Sequence, residues 1–133
     1  YLLTGDQRWD QRSEALLQAS AAQVFRSPAG YTQFLLGASL LLEPARELVI
    51  VGNKNSPDTV ALLAEVQQQY MPDLTLILRP IGDSEMVDKL IPFIDGMESL
   101  NDQATAYLCQ NFACQRPQTK LEELNRLLKQ TSH

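Results

Sequence analysis

The chain has 133 residues, enough for one domain whose core needs no disulfide or metal to hold it together. Its 44% hydrophobic and 20% charged residues are typical of globular proteins. They exclude a disordered chain, which would be poorer in apolar residues. The formal net charge is −5, and the segment from Asp83 to Asp102 carries this excess of acidic residues. Such a balance argues against nucleic acid and anionic membrane as partners, since both attract basic surfaces.

Apolar runs are all shorter than the roughly 18 residues of a membrane span, and the first residues lack the basic start of a signal peptide. Two cysteines are fewer than a secreted disulfide scaffold usually carries. We therefore expect a reducing, cytoplasmic location. Because the sequence begins at Tyr1 rather than Met, we also expect a fragment of a longer protein.

The first 44 residues predict two helices. Thr4 to Gln7 has the form of a capping box, and helical spacing then relates the apolar residues Trp9, Leu16, Ala19, Ala22 and Phe25. Ser27-Pro28 can end one helix and start the next. The second helix has one wide apolar face and ends at Pro44; that face is Tyr31, Phe34, Leu35, Ala38, Leu41 and Leu42. So short a link predicts antiparallel neighbours.

The residues after Pro44 have the pattern of strands and helices in alternation. Leu48 to Val51 is continuously apolar, as in a strand covered on both faces. A helix from Ser56 to about Tyr70 and a second strand, Leu74 to Leu78, follow. A short helix at Glu85 to Leu90 and a third strand at Ala104 to Cys109 come next. A final helix opens near Thr119, with an apolar face of Leu121, Leu124, Leu127 and Leu128.

This alternation predicts parallel strands joined by right-handed crossovers. We therefore predict an α/β fold with two parts. Residues 1–44 form an N-terminal helical hairpin. Residues 45–133 form a small α/β domain, with a three-stranded parallel Rossmann-like sheet and flanking helices.

The loop that starts at Gly52 is one candidate site, because a strand, a glycine and a helix start can direct backbone N–H groups at an anion. Lys54 could add charge, but no dinucleotide or P-loop motif is present and Asp58 competes for the helix start. An ordinary strand-to-helix connection is the favoured interpretation. A ligand site at the carboxyl ends of the strands remains an alternative, and its candidate residues are Gly52, Asn53, Lys54, Arg79 and Asn111.

Cys109 and Cys114 are a second candidate site, just past a predicted strand. The favoured interpretation is that both are buried thiols, which act as small apolar groups. A structural or regulatory disulfide between them is the next alternative. A redox role is an alternative, although the spacing is not the C-x-x-C of thioredoxin-type sites. A zinc site needs four ligands, and the only histidine is His133, so we predict no metal and no cofactor.

Other residues favour structural roles. The acidic segment from Asp83 to Asp102 lacks the spacing of a calcium loop, so a solvated connection is favoured. Aromatic side chains at helical spacing near the front are more often core than ligand surface; they are Tyr1, Trp9, Phe25, Tyr31 and Phe34. With no interior histidine, a Ser-His-Asp or Cys-His arrangement is excluded within the chain, and no catalytic residue is assigned.

The segment Thr105 to Pro117 contains the pattern Tyr-x-Cys-x-Asn-x-x-Cys-x-x-Pro. Val49 to Gly52, a Tyr70-x-Pro72 turn and the leucine-rich last helix accompany it. Together they resemble the C-terminal region of the thioredoxin-domain protein family that includes spermatogenesis-associated protein 20 and bacterial YyaL. The resemblance implies an absent thioredoxin-like domain and an absent six-hairpin glycosidase-type toroid, similar to N-acylglucosamine 2-epimerases. The helical hairpin then resembles the end of the toroid.

We therefore predict a non-catalytic C-terminal accessory or interaction domain of a larger protein. Its expected partners are other domains of that protein, or a second copy bound through the N-terminal hairpin. Two alternatives stay open: a redox element that uses Cys109 and Cys114, and a small-ligand module at the strand ends.

Overall fold

The computed structural model of the chain describes residues 3–42 and 45–130. Its helices are α1 (Gln7–Arg26), α2 (Thr32–Leu42), α3 (Pro57–Gln67), α4 (Glu85–Leu90) and α5 (Leu121–Gln130). Its strands are β1 (Arg46–Gly52), β2 (Leu74–Pro80), β3 (Thr105–Gln110) and β4 (Ala113–Cys114). Short 3₁₀ turns cover Pro28–Tyr31 and Pro92–Ile94. Each predicted helix and strand is present, and β4 is an addition.

The four strands form one mixed sheet in the order β2-β1-β3-β4. β1 and β2 are parallel, with Arg46 opposite Leu74. β3 is antiparallel to β1, with Arg46 opposite Gln110, and β4 is antiparallel to β3, with Cys109 opposite Cys114. The prediction of a three-stranded parallel, Rossmann-like sheet is therefore wrong, although the broader α/β assignment is confirmed.

The connection between β2 and β3 explains the direction of β3. It leaves β2 beside the carboxyl end of β1, where the Ile81 N–H donates to the Gly52 carbonyl at 3.1 Å. It enters β3 at the same end, where the Ala104 N–H donates to the Asp58 carboxylate at 2.7 Å. A parallel β3 would require the chain to cross the whole sheet in between. Because residues 81–104 stay near one end, β3 must run back.

Apolar clusters cover both faces of the sheet. On the first face, Leu48 and Ile50 pack with α3 and α5, and the predicted α5 residues all take part: Leu121, Leu124, Leu127 and Leu128. On the second face, Val49 and Val51 pack with Ile94, and α4 and the 3₁₀ turn lie over them. Every residue of β1 is buried, as its continuous apolar run predicted.

Helices α1 and α2 bury few side chains. Val24 is the buried residue of α1 and Ala38 is that of α2, within the described residues. The 3₁₀ turn between the helices contacts both of them, and the Tyr31 hydroxyl lies 3.5 Å from the Gln23 side-chain oxygen. Most of the remaining side chains of these two helices are exposed.

The apolar stripe predicted for α1 faces solvent. Trp9 is 52% exposed and Phe25 is 89% exposed, so the core interpretation of these two aromatic residues is wrong. The physical reason is the orientation of the helix: its less exposed stripe runs through Leu17 and Val24, not through the predicted residues. The described part of the chain thus leaves the more regular apolar face of α1 without cover.

The start of α1 also differs from the prediction. Asp6, rather than Thr4, is the N-cap, and its carboxylate accepts from the Arg8 N–H at 3.0 Å. A carboxylate suits this position because it faces the positive end of the helix dipole. The predictions that concern Tyr1, Pro44 and His133 lie outside the described residues. Within those residues, no helix combines the length and the apolar character needed to cross a bilayer.

Candidate functional site

The predicted cysteine pair lies in the β3–β4 hairpin. Cys109 is directly opposite Cys114, and their sulfurs form a disulfide bond. Cys109 is 1% exposed, whereas Cys114 is exposed to solvent. The interpretation as two buried thiols is therefore wrong, and the structure shows the disulfide alternative. The bond thus joins one buried and one exposed cysteine residue.

The hairpin turn consists of Asn111 and Phe112, whose φ angles of 52° and 63° are both positive. This combination is typical of a type I′ turn, which asparagine tolerates and phenylalanine rarely adopts. The Phe112 ring meets the Phe93 ring edge-on, with their centroids 5.7 Å apart. Because Phe93 packs on the second face, this contact ties the hairpin to the segment that covers that face.

A buried carboxyl group lies beside the disulfide. Glu47 is directly opposite Cys109 in the β1–β3 register and is only 3% exposed. Two residues along each strand, Val49 and Tyr107 pack on the second face, so Glu47 and Cys109 project to that face as well. Directly opposite residues of an antiparallel pair have Cβ atoms about 5 Å apart. The glutamate and the buried sulfur are therefore neighbours.

Burial determines the ionisation of Glu47. It raises the pKa of the carboxyl group to about 7, against a smaller opposing effect of a hydrogen bond with its own backbone. The adjacent cation, Arg46, pairs instead with Asp73 at 2.7 Å and holds the pKa of Asp73 below its usual range. Near neutral pH, Glu47 is thus divided between acid and carboxylate, which is the condition for general acid–base work.

A shallow cavity of about 180 Å³ opens beside the hairpin and is lined by Arg46, Leu108, Cys109, Gln110, Ala113 and Gln115. The charged side chain among these described lining residues, Arg46, has structural partners. Besides Asp73, the Arg46 guanidinium donates to the Leu128 carbonyl at 3.3 Å, which fixes it to α5. We therefore assign Arg46 to the support of the sheet edge.

The predicted anion site at the start of α3 contains a carboxylate of the chain itself. Asp58 accepts from the N–H groups of Thr59 at 2.9 Å and Ala104 at 2.7 Å. A hydrogen bond with Ser56 and then the bond with Ala104 hold the pKa of Asp58 below its usual value. An ionised carboxylate at a helix start opposes an external anion. The geometry therefore favours the ordinary strand-to-helix connection.

The loop residues proposed as ligand contacts surround that connection. Asn53 and Lys54 are exposed. Gly52 is buried where Thr59 and Ala104 approach the β1 backbone, so that a side chain at this position would meet both. The glycine therefore serves close packing of α3 and β3 against β1.

The remaining two ligand candidates lie apart. Arg79, at the end of β2, donates to the Asp88 carboxylate at 2.7 Å and to the Met97 carbonyl at 2.7 Å. Asn111 lies at the opposite end of the sheet, because β3 is antiparallel to β1. A strand pairing of this length separates the two ends by roughly 20 Å. The structure therefore brings Gly52 near Arg79 but not near Asn111.

The acidic segment has no arrangement for a cation. Within the described residues, no group of three or more histidine, cysteine or acidic side chains is close enough to hold a metal ion. Asp88 is occupied by Arg79, which holds the pKa of that carboxyl below its usual range. Lys89 pairs with Glu85 at 2.7 Å along α4. These ion pairs support a structural role for the acidic segment.

The chain is similar in sequence to known proteins. The chain is 34% identical to spermatogenesis-associated protein 20 of Homo sapiens over 125 residues, which are 94% of this chain and 16% of that protein. It is 32% identical to the protein of the same name from Rattus norvegicus over 128 residues, and 32% identical to that from Mus musculus over 127 residues. This chain is similar in sequence to a segment of spermatogenesis-associated protein 20.

The resemblance to spermatogenesis-associated protein 20 that the sequence predicts is therefore confirmed. The chain spans 16% of the length of these relatives, which is consistent with a C-terminal region of a longer protein. No family model and no solved structure matches the chain. The Tyr107 to Pro117 pattern, on which the resemblance was based, corresponds to β3, the turn, β4 and the residues that follow it.

Proposed function

We propose that this chain is a C-terminal accessory domain of a longer protein, and that it docks on the rest of that protein through α1 and α2. The observation that carries this proposal is the uncovered apolar surface of the two helices. The thioredoxin-like domain and toroid implied by the family resemblance would supply the remainder. A cytoplasmic location stays a prediction from the sequence.

Among residues 3–42 and 45–130, more than half of the large apolar side chains that are exposed belong to α1 and α2. We call them the helical apolar surface; its members are Trp9, Leu16, Phe25, Leu35, Leu36, Leu40, Leu41 and Leu42. Large exposed apolar surfaces on soluble proteins commonly mark a site of protein contact. Because α2 carries leucines around most of its circumference, one neighbouring helix cannot cover them all.

The length of the relatives indicates the occupant. In each of them the matched segment is 16% of the protein, so a large remainder is available in the same chain. A covalently linked partner also needs less intrinsic affinity, because the link raises its effective concentration. We therefore assign the helical apolar surface to the parent protein, ahead of a second copy of the chain.

Hydrogen–deuterium exchange would test this assignment. Amide protection should be measured for this segment within the longer protein and for the isolated chain. We expect α1 and α2 to gain protection in the longer protein, because their exposed face is then covered, while β1 to β3 change little. Equal protection of α1 and α2 in both contexts would contradict the docking proposal.

When the rest of the longer protein is absent, the isolated chain should self-associate through the same helices, because this contact covers their exposed apolar side chains. Sedimentation velocity should show a concentration-dependent oligomer, which the combined variant Phe25→Ser, Leu36→Gln and Leu42→Gln dissociates. A matched control changes Tyr70→Ser and Met86→Gln, which are 93% and 75% exposed outside these helices. Dissociation by both variants, or by neither, would show that the helical apolar surface is not the contact.

The small-ligand alternative receives no comparable support, since its candidate residues lie at two ends of the sheet. The redox alternative rests on a separate part of the molecule, the disulfide hairpin.

A further inference from the structure

The two sulfurs of the hairpin differ in access to a reactant. Cys114 lies in the exposed strand β4, whereas Cys109 is 1% exposed in β3. The exposed residue is the one that favours attack by an external thiolate, and attack at Cys114 makes the Cys109 sulfur the leaving group. A thiolate that forms in a buried, apolar position is unfavourable, since burial disfavours the charged form. Reduction of this disulfide therefore needs a proton delivered to Cys109.

Glu47 is placed to supply that proton. It is the residue of β1 directly opposite Cys109, it projects to the same face of the sheet, and it is 3% exposed. On β2, the residue at this register position is Thr75, which does not titrate near neutral pH. A buried acid beside a buried leaving group is the arrangement that general acid catalysis requires.

We propose that Cys109–Cys114 is a redox-active disulfide, which an external thiol reduces by attack on Cys114, and that Glu47 donates the proton to the departing Cys109 sulfur. This role is independent of the docking proposal, because it uses no residue of α1 or α2.

Reduction of the disulfide takes two exchange steps. The external thiolate forms a bond to the Cys114 sulfur as the Cys109–Cys114 bond breaks, and the electron pair of that bond stays on Cys109. The Cys109 thiolate takes the proton of the Glu47 carboxyl, which later recovers a proton from water. A second external thiolate attacks the mixed disulfide and releases Cys114, which is protonated by water. The products are two protein thiols and one external disulfide.

Other ionisable groups near this face have partners of their own or are exposed. Arg79 pairs with Asp88 and Lys89 pairs with Glu85 in the segment that packs on the second face. The Tyr107 hydroxyl donates to the Glu98 carbonyl at 2.6 Å. The acidic side chains that follow α4 in this segment are exposed; they are Asp95, Glu98 and Asp102. Glu47 is thus the buried acid next to the hairpin, and burial places its pKa at about 7.

The test is the pH dependence of reduction. The oxidised chain is mixed with 2-mercaptoethanol at a series of pH values, quenched by alkylation, and the reduced fraction is measured by mass spectrometry. The rate constant is expressed per concentration of reagent thiolate, which removes the ionisation of the reagent. We expect this constant to fall by about threefold or more as pH rises through the pKa of Glu47, because the proton donor is lost.

Glu47→Gln should remove that fall, since an amide cannot donate an acidic proton, while Glu122→Gln on exposed α5 surface should retain it. Circular dichroism confirms that each variant is folded. A flat profile in the unaltered chain overturns the role of Glu47, whether or not the variant folds. A disulfide that is reduced only after the chain is denatured overturns the redox proposal as a whole.

Discussion

Residues 45–130 and residues 7–42 bury apolar side chains to very different extents. In the first region, β1 is buried along its whole length and apolar clusters cover both faces of the sheet. In the second, each of the two helices has a single buried residue. The sheet region therefore completes its own core, while the helices leave large apolar side chains exposed, as a contact surface does.

The largest effect should come from opening the sheet core. Ile50→Ala removes a fully buried side chain, and we expect it to lower the free energy of unfolding by about 2–5 kcal/mol. Leu36→Ala changes a side chain that is 60% exposed, so its effect should stay within about 0.5 kcal/mol. Urea denaturation of the isolated chain, at concentrations low enough to keep it monomeric, measures both. Similar losses in the two variants would contradict the contrast between the regions.

The buried acid of the sheet region predicts a pH-dependent stability. The pKa of Glu47 rises from 4.5 to about 7 on folding, so the folded state binds the extra proton between these values. The free energy of unfolding therefore falls as pH rises through that window, and the loss is complete above the folded pKa. In the unaltered chain this fall in the free energy of unfolding is at most about 3 kcal/mol, and the Glu47→Gln variant should not show it.

Denaturation of the oxidised chain at pH values on both sides of that window measures this difference. Glu122→Gln, on the exposed face of α5, should follow the unaltered chain at every pH. If Glu47→Gln is no more stable than the unaltered chain above pH 7, the carboxyl is not desolvated as its 3% exposure indicates.

Local patterns predicted the elements of the sheet region well. The run Leu48 to Val51 indicated a strand covered on both faces, and the spacing of leucines in α5 identified its buried side. Both signals depend on neighbours within a few residues, which sequence periodicity reports directly. In α1 the same method identified an apolar face, but periodicity does not say whether that face is covered by this chain.

These local patterns do not predict how the chain connects its strands or in which direction each strand runs. The direction of β3 depends on where residues 81–104 leave the sheet, and that segment has no periodicity to follow. The two-residue turn at Asn111 and Phe112 lacks the glycine that usually marks a type I′ hairpin. Cys109 and Cys114 do have the spacing of opposite residues in such a hairpin, which is the signal that could have found β4.

The candidate site was predicted in part. The cysteines were identified as a pair with a disulfide among the alternatives, and the disulfide is present. Glu47 was missed, because β1 lies between β2 and β3 in the interior of the sheet, a position that the neighbours of Glu47 in sequence do not reveal. The grouping of Asn111 with Gly52 was wrong for the same reason that the sheet prediction was wrong.

A close approach in the sheet region predicts an intermediate effect. A methyl group at Gly52 would meet the Thr59 hydroxyl and the Ala104 side chain, so Gly52→Ala should cost about 1–3 kcal/mol. Thermal denaturation of a double-mutant cycle with Thr59→Ala locates the cause, because removal of the hydroxyl should recover part of the loss. Strictly additive losses would mean that the Thr59 contact is not responsible.

The smallest effect should have the opposite sign and concern the helices. A methyl group at Gly37, in α2, would meet nothing within 4 Å, and alanine favours a helix more than glycine does. Gly37→Ala should therefore raise the stability of the isolated chain by about 0.5–1 kcal/mol, measured by thermal denaturation. A destabilised isolated chain would show that α2 is already packed there. In the longer protein the same methyl group must fit beneath whatever covers α2, so the gain should shrink or reverse. An equal gain in both contexts would indicate that this side of α2 stays uncovered, and would limit the docking surface to the leucines on its other sides.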